Sequence, residues 1–228
     1  MPRLELPSRR SDTRKMKAEL FDIFDEAMNR IGQATRSEAH AKGYWHQTFH
    51  CWLTRREGDR RFVQFQLRTD NKDTNPSCYD ITAAGHLAAG ESVAQAVREL
   101  EEELGVAVPF EQLVPLLRWQ EEDEGEANGV PYIDREFSHV FGLVWDGPLA
   151  AMRLQADEVA GLYEAELTDM IALFEGRLET VEASGIALQK SGSDNVNVAR
   201  HAVVRASQFV PRDTSYYIQV LHALEKLT

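Results

Sequence analysis

The sequence predicts an α/β/α sandwich built around a mixed β-sheet. Three observations carry that expectation. Short runs rich in β-branched and aromatic residues are interrupted by two amphipathic helical segments. A chain of 228 residues with 43% hydrophobic and 27% charged content suits one generous packed domain. No apolar run approaches the roughly 18 residues that a membrane-spanning helix needs.

Taken in order, residues 1–18 carry Arg3, Arg9, Arg10, Arg14, Lys15 and Lys17 with no apolar stretch behind them, and read as a basic tail rather than a signal peptide. Residues 19–25 read as a strand on their Phe and Ile content. Asn29, Arg30, Ile31 and Gly32 supply turn chemistry. A short helix over 38–42 is expected, capped by Thr35 or Ser37 and stopped at Gly43. The runs 45–53 and 62–67, joined by the charged turn 55–60, read as a hairpin. A polar loop over 69–77 leads to a strand over 79–83. Ser92 and Gln95 have capping-box spacing and Gly105 is a natural C-terminal cap, so a helix of about three turns is expected between them. Its residues Val93, Val97, Leu100 and Leu104 share one face.

Further on, a strand at 113–119, an acidic loop at 121–126 and a strand at 135–144 precede a second amphipathic helix over 166–174, with Leu167, Ile171 and Phe174 on one face. The remaining residues mix loop signals with a final helix over 216–226. The expected organisation is a flexible tail (1–18), a main domain (19–175) and an extension (176–228) that packs on the domain as a lid or on a dimer partner.

Lys+Arg 25 against Asp+Glu 37 gives a formal net charge of −12. Such a balance disfavours nucleic-acid polymers and anionic membranes as partners. A small polyanion remains accessible to it only through a local device. Cys51 and Cys78 are too few for a disulfide framework or a four-thiolate metal site, and a reduced, cytoplasmic protein is the expectation.

That local device is legible between Gly85 and Val106. Glu91 follows Gly85 after five residues, and Arg98-Glu99-Leu100-Glu101-Glu102-Glu103-Leu104-Gly105-Val106 closes the segment. Glu99, Glu102 and Glu103 stand at i, i+3 and i+4, neighbours on one helical surface where they repel one another unless a counter-charge is present. A hard divalent cation removes that cost, and Mg²⁺ commonly shares its coordination sphere with substrate phosphates. The pattern resembles the Nudix box, the loop–helix–loop signature of enzymes that cleave diphosphates linked to another group. The resemblance implies a Nudix-type α/β/α sandwich, Mg²⁺ (with Mn²⁺ as the alternative) held by Glu99, Glu102 and Glu103, a small-molecule diphosphate substrate, and a framework made by Gly85, Glu91, Arg98 and Gly105. A homodimer is a further family-based expectation. Six residues separate Glu91 from Arg98 where the family pattern has seven, so the contact between them is the part of the pattern that the shorter turn affects.

A narrower likeness surrounds the box. His46, Phe49 and Trp52, then Arg68, Lys72, Ala84, Gly85, His86, Asp134, Arg135 and Glu136, are similar to landmarks of type I isopentenyl diphosphate isomerase, a Nudix-fold enzyme. That family holds a metal with histidines and glutamates, matched here by His46, His86 and Glu136, with Asp134 and His40 as looser matches. It also uses a cysteine where this chain has Ala84, and alanine can neither donate nor accept a proton. Hydrolysis is therefore the expected reaction, with an isomerase-like enzyme or a non-catalytic nucleotide-sensing module as alternatives. Glu102 and Glu136 are the expected catalytic carboxylates, each also a candidate ligand. Arg68 and Lys72 are candidates to grip phosphates, and His46 and His86 to contact substrate or metal. His50, His139, His201 and His222 read as packing or surface residues, and Cys51 as a core thiol facing away from His50.

Overall fold

The computed structural model describes residues 19–127, 129–191 and 194–227. The basic tail expected at 1–18 lies outside the described residues. Strand β1 (Leu20–Phe24) pairs antiparallel with β2 (Arg30–Thr35). The turn expected at Asn29 to Gly32 falls earlier. Asp25 Oδ1 accepts from the backbone N–H groups of Ala27 (3.0 Å) and Asn29 (2.8 Å), and Met28 takes φ 62°, so the chain has already reversed and Arg30 to Gly32 belong to a strand. Helix α1 (Arg36–Lys42) begins where Thr35 Oγ1 accepts from Glu38 N at 3.2 Å, and ends at Gly43 in the left-handed region, φ 63°.

Strands β3 (Trp45–Glu57) and β4 (Arg60–Arg68) form the expected hairpin. The single strand expected over 79–83 divides into β5 (Tyr79–Asp80), which pairs with β4, and β6 (Ala83–His86), which pairs with β3. Thr82 makes the break: its hydroxyl donates to the Gln64 carbonyl and accepts from Leu53 N at 2.9 Å, tying the chain to both strands of the hairpin at once.

The three-turn helix expected after Ser92 is shorter. A 3₁₀ turn (Gln95–Val97) leads into α2 (Arg98–Leu104), closed by Gly105 at φ 71°. Gln95 Oε1 accepts from Ser92 N at 2.9 Å, but the Ser92 hydroxyl turns to the same oxygen, so only half of the capping box forms. The 3₁₀ turn also absorbs the missing residue, because it rises about 2.0 Å per residue against about 1.5 Å in an α-helix.

Strands β7 (Val114–Ala127) and β8 (Val130–Val144) form a long antiparallel ribbon. The stretch 121–126, expected to be an acidic loop, is therefore strand. Three of its five acids are met: Glu122 by Arg135, Asp123 by the Tyr132 hydroxyl at 3.1 Å, and Glu121 by Trp119 Nε1 at 3.2 Å. β8 runs parallel to β3, which makes the sheet mixed. β9 (Val159–Glu166) joins β4 to β10 (Val181–Ser191), and β11 (Asp194–Val204) follows in a hairpin where loop signals had been read. The strand order is β11-β10-β9-β4-β3-β1-β2, with β5, β6 and the β7–β8 ribbon attached to β4 and β3.

Apolar side chains cover both faces. Trp52, Phe65, Ile171, Phe174, Tyr216 and Tyr217 pack beneath α3 (Leu167–Phe174) and α4 (Thr214–Leu224). Phe49, Cys51, Leu53, Leu100, Leu104 and Phe141 pack with α2 on the other side. Cys51 is completely buried and faces opposite to His50, as strand alternation requires.

Candidate active site

The face of the sheet not occupied by Phe49 and Cys51 carries a row of polar side chains. On β3 they are His46, Thr48 and His50, each buried. Register places Glu136 beside His46 and Ser138 beside Thr48 on β8, His86 and Ala84 across from Thr48 and His50 on β6, and Glu121 across from Glu136 on β7. Thr48, His50, Ala84, His86, Glu121 and Glu136 of this row line a cleft of about 740 Å³, to which α2 contributes Arg98, Glu99, Glu102 and Glu103, while His46 lies behind that lining.

The box residues meet in detail. A Cβ at Gly85 would stand 2.3 Å from the Glu99 carboxylate, so only glycine lets that side chain lie across β6. Glu103, 6% exposed, accepts from Ala84 N at 3.2 Å. Arg98 donates to Glu91 at 2.7 and 3.1 Å, pairs with Glu99 (2.7 Å) and Glu102 (2.8 Å), and reaches the His86 carbonyl at 3.4 Å. The contact at stake in the shorter turn is thus made. Burial pushes Glu103 up to about 8, with Glu99 adding to it, and pushes Glu99 up to about 7 against the opposite pull of Arg98, with Glu102 and Glu91 adding to the rise. Crowded carboxyls whose ionised forms are disfavoured are what a cation relieves.

A second cluster lies alongside. Ring nitrogens of His40, His46 and His86 lie within 4.8 Å of one another, and atoms of His46, Asp134 and Glu136 do likewise. Among the described residues, the buried Nε2 atoms of all three histidines and Asp134 Oδ1 have no hydrogen-bond partner, although His40 and His46 approach Asp134 to 3.5 and 3.4 Å. His46 Nδ1 donates to the Tyr44 carbonyl at 3.0 Å, which leaves an Nε2 lone pair facing the cluster. Phe21 stacks on both His46 (4.9 Å) and His86 (4.7 Å) and fixes their planes. Burial lowers His40 and His46 to about 4, so both are neutral donors at pH 7. Asp134 is raised by burial and by Glu136, while the imidazoles of His86, His46 and His50 overcome the effect of burial and hold Glu136 below the usual carboxylate range.

Arg68 and Lys72 also line the cleft, but both are engaged. Arg68 donates to the carbonyls of Asn75 (3.1 Å) and Thr74 (2.9 Å) and to Asp80 (3.1 Å), and Lys72 pairs with Glu158. Gly105 stays outside the lining as the helix cap. Sequence reasoning missed Arg36, Glu121 and Arg212 as lining residues. Glu121 was hidden by the loop reading of 121–126, whereas nothing in the sequence pointed to Arg36 or Arg212.

Residues 44–181 match the NUDIX domain family. An uncharacterised Nudix hydrolase of Clostridium acetobutylicum is 38% identical over 209 residues, spanning 92% of this chain and 98% of that protein. Nudix hydrolase 3 of Arabidopsis thaliana is 35% identical over 154 residues, spanning 64% of this chain but only 19% of that longer protein. A Deinococcus radiodurans crystal structure superposes with TM-score 0.51 at 18% identity, covering 69% of this chain and 90% of that one, a likeness of fold. The chain belongs to the Nudix hydrolase family. It is a pyrophosphohydrolase, a class that acts on small-molecule diphosphates and generally uses divalent metal ions. The family match identifies the Nudix domain and not the isomerase branch. Among the described residues no helix is long and apolar enough to cross a membrane.

Proposed function

We propose that the chain is a Mg²⁺-dependent hydrolase, with Mn²⁺ as the alternative ion, of the diphosphate linkage in a nucleoside-diphosphate-X or X-diphosphate small molecule. The observation that carries this reading is the meeting of Glu99, Glu102 and Glu103 with Glu136 in one cleft, where Glu103 is buried and crowded with no cationic side chain bonded to it. A divalent cation held by the three box glutamates supplies the positive charge that a diphosphate needs in a protein of net charge −12, and acidifies water for attack on phosphorus.

The chain's own residues do the rest. Glu91 holds Arg98, Arg98 aligns Glu99 and Glu102, and Gly85 lets Glu99 lie flat against β6. Glu136, held below the usual carboxylate range by the imidazoles around it, is the proposed acceptor of the attacking water's proton. Lys72 can reach a phosphate by exchanging Glu158 for it. Arg68, spent on the carbonyls of its own loop, shapes that wall. The second cluster fits a further cation: the Nε2 atoms of His40, His46 and His86 converge with Asp134 Oδ1 and, among the described residues, none of these atoms has a hydrogen-bond partner, so His40, His46, His86, Asp134 and Glu136 are its proposed holders.

Two features weigh against proton transfer to carbon. The Ala84 side chain carries no acid and its N–H is committed to Glu103, while Cys51 is fully buried in the core. Among the described residues the lining is also mostly charged, with Ala84, Trp119, Val210 and Pro211 as its apolar side chains, which suits a nucleotide or sugar diphosphate better than an isoprenoid. The deciding experiment is a phosphate-release assay on nucleotide sugars, dinucleoside polyphosphates, coenzyme A, thiamine diphosphate and prenyl diphosphates, each with and without Mg²⁺. Metal-dependent turnover of at least one is expected, and none with the protein folded defeats the reading. Solvent deuterium entering isopentenyl diphosphate would instead revive the isomerase.

A further inference from the structure

His50 has no motif to recommend it, yet it lies on the cleft side of β3, 2% exposed, between α4 and Glu136. Its hydrogen bonds fix which nitrogen carries the proton. Trp52 Nε1 can only donate, and donates to the Tyr216 hydroxyl at 3.2 Å. The phenolic proton is then available to His50 Nδ1, 2.9 Å away. With Nδ1 accepting, the neutral ring carries its proton on Nε2. That nitrogen faces Thr48 Oγ1 at 3.5 Å and Glu136 Oε2 at 4.0 Å, and Thr48 Oγ1 itself, 2.9 Å from Ser138 Oγ, lies 3.4 Å from Glu136 Oε2. A chain of polar groups therefore runs from the C-terminal helix to the proposed base.

The segment that leads into α4 supports the same carboxylate from the other side. Arg212 donates to Asp80 at 2.7 Å and to Glu121 at 3.2 Å, and Glu121 stands directly across from Glu136 in the β7–β8 register. Arg212 thus sets a positive charge against the acid that would otherwise repel Glu136. Val210 N bonds to the Tyr79 carbonyl at 2.9 Å and anchors the segment to β5.

We propose that the C-terminal segment 209–217, which lies beyond the 44–181 family match, is a positioning element of the active site: Tyr216 sets the tautomer of His50, and His50 with Thr48 holds the Glu136 carboxylate toward the cleft. Tyr216 and His50 are positioning residues, since the base touches the reacting water and they touch the base. The proposal rests on the reading of Glu136 as that base.

Two measurements on the full chain test it. In metal-free protein labelled with ¹⁵N-histidine, long-range proton–nitrogen spectra should report His50 with its proton on Nε2. Tyr216→Phe, which keeps the ring in the core, should abolish that preference. An Nδ1-protonated ring in the wild type, or an unchanged tautomer in the variant, overturns the proposal whether or not any substrate has been found. In steady-state kinetics with the panel compound that turns over fastest, Tyr216→Phe should lower kcat roughly 10-fold with KM within about twofold, and should add less than about twofold to the loss caused by Glu136→Gln. Full activity in Tyr216→Phe beside an impaired Glu136→Gln removes the positioning role and leaves the base in place. Full activity in Glu136→Gln removes the base and the positioning role with it. Should Tyr216→Phe fail to fold, His50→Gln, whose amide nitrogen takes the place of Nε2, should retain most of the rate that His50→Leu loses; equal losses in the two overturn the proposal.

Discussion

Gly85→Ala is the sharpest perturbation of the proposed metal site, because it adds one methyl group and leaves every carboxylate in the chain. The backbone at Gly85 is not in the left-handed region, so alanine meets no conformational cost there. What it meets is Glu99, with the new carbon 2.3 Å from both Cδ and Oε1 and 2.8 Å from Oε2. Ordinary contact begins near 3.4 Å, so the carboxylate must retreat by about 1 Å. A displacement of about 1 Å at a catalytic centre costs on the order of 100-fold in rate, or about 3 kcal/mol of transition-state stabilisation. Glu99 is a flexible side chain, so the fold should absorb the change with a melting temperature within a few degrees of wild type. The assay is kcat/KM on a turned-over panel compound across a Mg²⁺ titration. Gly85→Ala should lose roughly 100-fold and need more Mg²⁺, and in a Glu99→Ala background it should cost nothing further. Activity within about threefold of wild type at unchanged Mg²⁺ dependence would refute the placement of Glu99 as a working ligand.

Glu102→Gln and Glu103→Gln should each lower the rate by on the order of 100-fold or more while circular dichroism stays native, and near-normal rates in both would remove the box glutamates from the metal site. The metal-free protein should lose stability with rising pH. Glu103 and Glu99 hold their protons in the fold to about 8 and about 7, whereas the unfolded chain releases them near the ordinary 4.5; His40, His46 and His50, lowered by burial, act in the opposite sense up to the ordinary 6.5, so the net loss runs from about pH 6.5 to about pH 8 and then levels. Melting in EDTA across that range should show this slope, Mg²⁺ should flatten it, and a flat curve in EDTA would count against the burial of these carboxylates. Thr82→Val should destabilise by about 1–3 kcal/mol in urea unfolding, because it leaves the buried Leu53 N–H without its acceptor; a change below about 0.5 kcal/mol would mean that Thr82 does not hold the β5–β6 break.

The box was legible because its information is local. Gly85, Glu91, Arg98 and Glu99 to Gly105 are placed by helical period and by one glycine, both of which can be read from a single stretch of sequence. α1, the β3–β4 hairpin, α3 and α4 were legible for the same reason, each carrying its own cap, turn or apolar face. β2, β9, β10 and β11 were not, since what makes them strands is pairing with partners distant in the chain rather than their own composition. The acidic run 121–126 is the clearest case. Five charges in six residues look like solvated loop until Arg135, Arg212 and Tyr132 arrive from elsewhere to meet three of them. The second cluster was half legible: His46, His86 and Glu136 stood out, whereas His40 joins them only because α1 packs against β8.

The cleft also explains how an acidic protein can be built for an anion without a basic surface. Its positive side chains are already paired: Arg98 with three box glutamates and Lys72 with Glu158, while Arg68 and Arg212 share Asp80. Glu103, Asp134 and Glu136 are acidic groups of the cleft that no Arg or Lys side chain bonds among the described residues, and burial and crowding keep Glu103 and Asp134 from ionising readily. Burying carboxylates with so few donors is costly for folding alone. On the proposed metal reading, the arrangement would become favourable when cations complete it, and those cations would present the diphosphate with a positive surface that the cleft's paired side chains do not offer.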